Sequence, residues 1–502
     1  MNKTQDAVAT RRYREQLLQD SWRPQYHFCV PDGDGRPGDP NGCFYAQGLH
    51  HMMYLYHHPE KGFCWGHVTS RDLIHWRHHP DALEKTAHDD GCFSGGAFLD
   101  DDGTAYLSFW VYNHPERKLD QDSYCGIMLA KSTPPYDVWE RVAPVAIPSS
   151  EWGIASVQGL PVACADPGNI WKSNQTYYMQ TGNLLILNKY GRTPEASPSM
   201  KGDWTELFSS KDLKTWHWEG RFYDHSICDE HPDESEDDMC PSFLPLPASK
   251  DGGAATDEYL QLFISHNRGC QYYIGRLDEK KFVPRIHGRM SWIDDTYFAP
   301  EAYIDDKGRQ IAFAWLRTNL PEDYEQYGWS GVMGLPRVLW RANDGSLGIA
   351  AAPEIDALAY HTQQWTGKQL EDMACINLQQ PQCCRIEWTG KDAEHVTGLH
   401  VGSENWYEIL CDPVKGELRV DARSSGSPVG AVEECAPIRF SPGEVPHVTV
   451  YIDASVVEVF ANDKQAITRR IFLPTNESKI CTVGGKYMDS LLASEMAPSQ
   501  PY

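Results

Sequence analysis

TSRDLIHW, residues 69–76, returns 140 positions later as SSKDLKTW, residues 209–216, with hydroxyl, basic residue, Asp, Leu and Trp in the same order. A second echo lies around it. LDDDGTAYLSF (99–109) and IDDKGRQIAFAW (304–315) each set an Asp-rich, Gly-ended turn before an alternating run, which is the signature of a β-hairpin. Beyond residue 20 the chain is a succession of short apolar and aromatic runs separated by Gly, Pro, Asp and Asn, and this pattern predicts an all-β protein. Four-stranded sheets repeated around an axis account for the echoes, because a propeller protects its strand edges by repetition. Five blades over residues 23–345 take roughly 64 residues each, so the repeat spacing is about two blades. The competing arrangement is a sandwich whose hairpins merely share turn chemistry.

Outward from this region, residues 1–22 mix charges throughout and predict a helical N-terminal extension. An irregular Gly-, Ala- and Pro-containing stretch gives a linker over 346–364. Residues 365–502 hold CCRIEW, WYEILCD, ELRVDAR, HVTVYIDASVVEVFA and AITRRIFL, alternating runs that predict a C-terminal β-sandwich.

Composition narrows the partners. A net charge of −25 over 502 residues repels phosphate backbones and anionic lipid, so neither nucleic acid nor membrane is an expected partner, and a neutral small molecule suits the charge best. Aromatic residues reach 12%, with 17 Trp and 25 Tyr, which serve sheet packing first and stacking on sugar rings second. No apolar leader opens the sequence, so a cytoplasmic location is expected. Fifteen cysteines without paired CxxC spacing then imply reduced thiols rather than a disulfide framework, and the sequons at Asn174 and Asn476 stay unused. The histidines at 50, 51, 57, 58, 75, 78 and 79 suggest a metal only superficially. No metal or cofactor is expected, and oligomeric state is not legible.

Two carboxylates sit in turns. Asp39 lies between Gly38 and Pro40 in GDPNG, and Asp166 precedes Pro167 in ACADPGNIW; taken singly, each reads as an ordinary turn residue. The wider context changes that. GDPNG, WGHVTSRDLIHWRHHPDALE (65–84), GCFSGGAFLDDDG (91–103), DDTYFAPEAYIDDKGRQIAFAW (294–315), GWSGVMGLPRVL (328–339) and IDASVVEVFANDKQAITRRIF together resemble glycoside hydrolase family 32, the invertase, inulinase and levanase family.

The resemblance implies a five-bladed β-propeller with an axial active site, followed by a β-sandwich. It implies cleavage of terminal β-D-fructofuranosides such as sucrose or short fructo-oligosaccharides, with retention. That chemistry needs two carboxyl groups about 5 to 5.5 Å apart, one a nucleophile and one an acid/base. By motif, Asp39 takes the nucleophile's place and Asp166 that of the carboxylate that steadies the oxocarbenium-like charge. Trp65, Phe93 and Ser94 match substrate-binding positions, with core packing the equal alternative for Trp65 and Phe93. Several family residues are missing. Arg36-Pro37-Gly38 replaces Trp-Met-Asn, Ala165 stands where an Arg belongs, and Leu55 stands where a Gln does.

The largest departure is the acid. EDDMCPSFLPL (236–246) carries Met239 where the family has the Glu of Glu-Cys-Pro, and a thioether cannot donate a proton. A one-residue bulge would swing Asp238 into its place, and Asp238 is the acid/base expected here. In an unbulged strand Asp237 would share the face of Met239 and Asp238 would point away; Glu236 and loss of the acid are the further alternatives. Loss would leave a non-catalytic fructoside-binding protein. Fructosyl transfer is a close variant of hydrolysis, and an inverting furanosidase is the runner-up enzyme.

Overall fold

The computed structural model describes residues 15, 17, 19–30, 35–224, 237–266, 268–318, 328–371, 375–474 and 479–499. Two all-β regions follow each other. The first is built from successive antiparallel strand groups in chain order, two of them joined by a parallel bridge into one eight-stranded sheet and followed by sheets of five, four and six strands. Their first strands are Pro40–Ala46, Gly91–Leu99, Ala165–Pro167, Met239–Pro247 and Tyr297–Ile304. Each of these touches the next, and the fifth touches the first, so the first strands form a closed ring around a central well. Cys29–Val30 pairs with Ser330–Met333 of the fifth unit before the chain enters the first, which ties the beginning of the ring to its end.

The repeated octapeptides do the same job twice. In both, a strand ending at Ser70 or Ser210 turns through five residues into the outer strand, Trp76–Leu83 or Trp216–Arg221. Asp72 Oδ1 accepts from the backbone N–H of Ile74 and His75 at 3.1 and 2.9 Å, and Asp212 Oδ1 accepts from Lys214 and Thr215 at 2.9 and 2.8 Å. Leu73 and Leu213 sit at φ +64° and +59°, a left-handed turn that the Asp side chain holds together. The Asp-rich hairpins also match: Gly103 N–H donates to Asp100 O at 2.9 Å and Gly308 N–H to Asp305 O at 3.0 Å.

The second region stacks a six-stranded sheet, from Ala359–Thr366 to Gln465–Arg470, on a five-stranded one from Glu433–Pro437 to Ile480–Val483. Alternation puts Ile386 and Trp388 inside and leaves Arg385 and Glu387 facing outward. The boundaries are tighter than the sequence suggests. The stretch expected as a linker carries the last strand of the fifth unit, Leu347–Ala351, a 3-10 turn, Pro353–Leu358, and most of the first sandwich strand, Ala359–Thr366. Of the expected N-terminal helical extension, Glu15, Leu17 and Gln19 are helical, Asp20, Ser21 and Trp22 are not, and the rest lies outside the described residues.

The thiol expectation needs correction at one pair. Antiparallel pairing of Ile376 with Ile480 sets Cys375 opposite Cys481, and these two form a disulfide. Spacing in the sequence gives no hint of it, because the two cysteines are 106 residues apart.

The sandwich grips the propeller through buried charge. Asp453 accepts from the backbone N–H groups of Gln25, Tyr26 and His27 at 2.7–2.8 Å and from His27 Nδ1 at 2.8 Å. Glu458 accepts from His27 Nε2 at 3.2 Å, Leu335 N–H at 2.7 Å, Arg337 Nη2 at 2.9 Å and the Thr468 hydroxyl at 3.0 Å. Arg469 and Arg470, odd in a strand that is buried throughout, make sense here: Arg469 pairs with Asp294 and Glu434, and Arg470 donates to Leu316 O.

Candidate active site

All five first strands lose register at the level of the well. The breaks fall between Asn41 and Phe44, Cys92 and Gly95, Ala165 and Pro167, Met239 and Ser242, and Phe298 and Glu301. A bulge re-aims the residue it carries, and three of these carry non-glycine residues at positive φ: Asp166 at +33°, Cys240 at +47° and Ala299 at +48°. Such backbone persists only where the surroundings over-determine it. The result is a ring of side chains turned toward one place.

Asp39 and Asp166 meet there. The Cys240 thiol lies 4.0 Å from Asp39 Oδ2 and 3.5 Å from Asp166 Oδ2, bridging carboxylates that are far apart in sequence. Ser94, from the second bulge, donates to Asp39 Oδ2 at 2.5 Å. The Asp39 carbonyl is fixed as well, accepting from Leu55 N–H at 2.9 Å and Asn41 Nδ2 at 3.1 Å. Gly38 has a steric reason: a Cβ there would lie 2.9 Å from Trp315 Nε1 and 2.7 Å from Gly35 O. The turn therefore sits flat against Trp315.

Both carboxyls hold protons more tightly than usual. Burial pushes Asp39 up to about 6, against the hydrogen bond from Ser94 and the charges of His266 and Arg317. Burial, and then the charge of Asp39, push Asp166 up to about 7. Near neutrality the more basic Asp166 holds a proton before Asp39 does, leaving Asp39 the more ionised of the two. Burial and the two neighbouring carboxylates keep the Cys240 thiol well above its ordinary range, so it is a weak donor between them rather than a thiolate.

Asp238 is not with them. The register break comes after Met239, not before it, and Asp237 and Asp238 lie ahead of the strand, so no bulge turns Asp238 into the well. Asp238 has no exposed surface; its N–H donates to Asn183 Oδ1 and its Oδ2 accepts from the Tyr223 hydroxyl at 2.7 Å. Tyr223 belongs to an aromatic core with Phe222, Phe243 and Phe282. The expectation that a bulge brings Asp238 to the well is corrected on this ground. Met239 is buried too, with its sulfur against Leu184 N–H. Asp237 pairs with Arg192 and His266, and Glu236 lies outside the described residues.

Of the expected binding residues, Ser94 reaches Asp39 as above. Phe93 is half-buried among Phe63, Trp110, Tyr112 and Trp152. Trp65 is fully buried, donates to Phe93 O at 3.2 Å and packs on Phe109, so it is a core residue that supports the Phe93-Ser94 bulge and does not face substrate. Four residues of the site escaped the sequence: Cys240, His266, Phe298 and Arg317. His266 packs on Phe298 with ring centroids 5.7 Å apart, and Arg317 lies 5.1 Å over the same ring. Nothing in the sequence near residue 266 marks His266, because the strand it follows, Ala255–Ser265, meets Met239–Pro247 only in the fold.

Comparison with known proteins gives the family. The model of the glycosyl hydrolases family 32 N-terminal domain matches residues 34–350, and that of the family 32 C terminal matches 354–489. The sucrose-6-phosphate hydrolase of Escherichia coli is 25% identical, with 92% of this chain and 91% of that one aligned. The levanase of Bacillus subtilis (strain 168) is also 25% identical, over 92% of this chain and 68% of its own. Among solved structures, fructan 1-exohydrolase IIa from Cichorium intybus superposes with a TM-score of 0.76 at 18% identity, covering 95% of this chain and 98% of its own. The sucrose-6-phosphate hydrolase from Lactobacillus gasseri gives 0.75 at 20% identity, covering 98% and 97%. With both family models matched across nearly the whole chain, on a closed ring of sheets followed by a sandwich, the protein belongs to glycosyl hydrolase family 32.

Proposed function

We propose that the protein hydrolyses terminal β-D-fructofuranosyl residues of sucrose or short fructo-oligosaccharides with retention, through a fructosyl ester on Asp39. The observation that carries this is the meeting of Asp39 and Asp166 across Cys240, with Ser94 aiming the first carboxylate. Asp39 attacks the anomeric carbon as the glycosidic bond breaks, and water then cleaves the ester with a second inversion. Asp166 binds fructosyl hydroxyls and offsets the positive charge that develops on the ring. Twelve unpaired cysteines among the described residues support a reducing, cytoplasmic setting for this activity.

One observation favours a second reading. With Met239 in the family acid's place and Asp238 facing Tyr223, a chain that binds fructosides without cleaving them is the alternative. Purified protein incubated with sucrose, short inulins and levans, with products followed by NMR, separates the two. Turnover that gives β-fructose first and vanishes in Asp39→Ala supports the hydrolase. Saturable binding of sucrose without turnover supports the binder, and α-fructose as the first product overturns retention.

A further inference from the structure

We propose that His266 is the proton donor and acceptor of this site, replacing the carboxylic acid lost at Met239, and that Asp237 is its positioning residue. The inference rests on the fructosidase reading above. Ile264 stands across the ladder from Met239, the position of the missing acid, and His266 lies two residues further on, just past the end of that strand and beside Asp237. Its Nδ1 lies 2.7 Å from Asp237 Oδ2, which also accepts from its backbone N–H at 3.1 Å. Asp237 Oδ1 accepts from Arg192 Nη2 at 2.8 Å, and the Asp237 carbonyl accepts from the Ser265 hydroxyl at 2.6 Å. With both oxygens engaged and 2% of its side chain exposed, Asp237 is fitted to orient an imidazole and not to reach a substrate itself. The imidazole is different: 41% of its side chain is exposed, whereas Asp39 and Asp166 are almost wholly buried. Its ring lies edge-on to Phe298, whose own neighbour Trp315 packs against the Gly38-Asp39 turn. With Nδ1 held by Asp237, Nε2 is the nitrogen left to serve a leaving group.

Electrostatics suit the role. Burial disfavours the charged ring and Arg317 opposes it, but the hydrogen bond and charge of Asp237, with the charge of Asp166, outweigh both and raise the His266 pKa above its ordinary value. The charges that act on the ring are those of Asp237, Asp166, Asp39 and Arg317. An imidazolium with Nδ1 held by a carboxylate has one proton to give, at Nε2. In the first step Asp39 Oδ forms a bond to the anomeric carbon, the bond from that carbon to the glycosidic oxygen breaks, and the Nε2 proton passes to that oxygen. In the second, water adds to the anomeric carbon, its proton returns to Nε2, and the ester electrons go back to Asp39.

The test uses the full chain and two substrates: sucrose, whose leaving oxygen needs a proton, and β-D-fructofuranosyl fluoride, whose fluoride does not. His266→Gln is expected to lose about 10²–10⁴-fold on sucrose, while the fluoride release that accompanies ester formation stays within a few-fold and azide, which needs no base, restores steady turnover of the fluoride as a fructosyl azide. Asp237→Asn is expected to move the alkaline limb of the sucrose profile to lower pH, a change that a merely structural role would not produce. Equal losses on both substrates, an unaltered sucrose rate in His266→Gln, or an Asp237→Asn profile that superimposes on the unsubstituted one would overturn the assignment while leaving the Asp39 reading intact. Absence of turnover in the unsubstituted chain would overturn the parent reading and this one together.

Discussion

Asp39 and Asp166 in the well, and Glu458 at the join between propeller and sandwich, are all buried carboxylates, yet their chemistry runs in opposite directions. Glu458 is driven down to about 2: burial alone would raise it, but the hydrogen bond from His27 and the charge of Arg337 prevail. Asp39 and Asp166 are driven up to about 6 and 7 because a hydroxyl, a thiol and more distant cations leave burial uncompensated. Burial by itself therefore says little about a carboxylate. The partner decides, and a site that must attack carbon keeps its nucleophile short of ion pairs that would spend its reactivity.

The sharpest break between the two regions is Asp39→Ala, expected to cut sucrose turnover by a factor on the order of 10⁴ or more with no loss of folded protein by circular dichroism. Glu458→Gln should do the reverse. It leaves Arg337 buried without its carboxylate partner and is expected to cost about 3–5 kcal/mol of stability in urea titration, with turnover per folded molecule unchanged. Ser94→Ala removes a hydrogen bond to an ionised group worth about 1.5–3 kcal/mol. Because that bond holds Asp39 down, its loss should move the acidic limb of kcat/KM upward by about one to two pH units.

The smallest effect concerns pH and stability. Asp39 rises from an ordinary 3.8 to about 6 in the fold, so its stabilising contribution is complete below about pH 4 and is lost as pH rises through 6. Asp166 behaves likewise up to about 7. Glu458 contributes above its ordinary 4.5 and loses its contribution only as pH falls through about 2. Asp39→Asn is accordingly expected to gain roughly 1–2 kcal/mol at pH 7 and nothing at pH 4, read from urea midpoints at the two values. A loss at pH 7 would erase the contrast.

What the sequence conveyed was whatever local chemistry writes. The turns at Asp72 and Asp212 are closed by their own side chains, so an eight-residue echo was enough to announce repeated sheets. Asp39 and Asp166 stood in Asp-Pro turns that carry family motifs. Asp238 was misjudged because the stretch 236–246 fixes its composition but not the position of a bulge; whether the break precedes or follows Met239 depends on how Ile264 and Leu262 pair across the ladder. His266 was invisible for a related reason, since nothing near residue 266 tells that its partner strand lacks an acid. Trp65 showed the converse, a motif residue whose contribution is to hold up its neighbours.

The clasp formed by residues 25–27 on Asp453 and Glu458 has a practical consequence for protein engineering. The sandwich cannot be treated as an exchangeable module, since its two acids seat the very segment that leads into Cys29–Val30 and the closure of the ring. A chimera that takes its C-terminal half from a relative must import that relative's equivalent of Gln25-Tyr26-His27 as well, or begin with an unfastened circle.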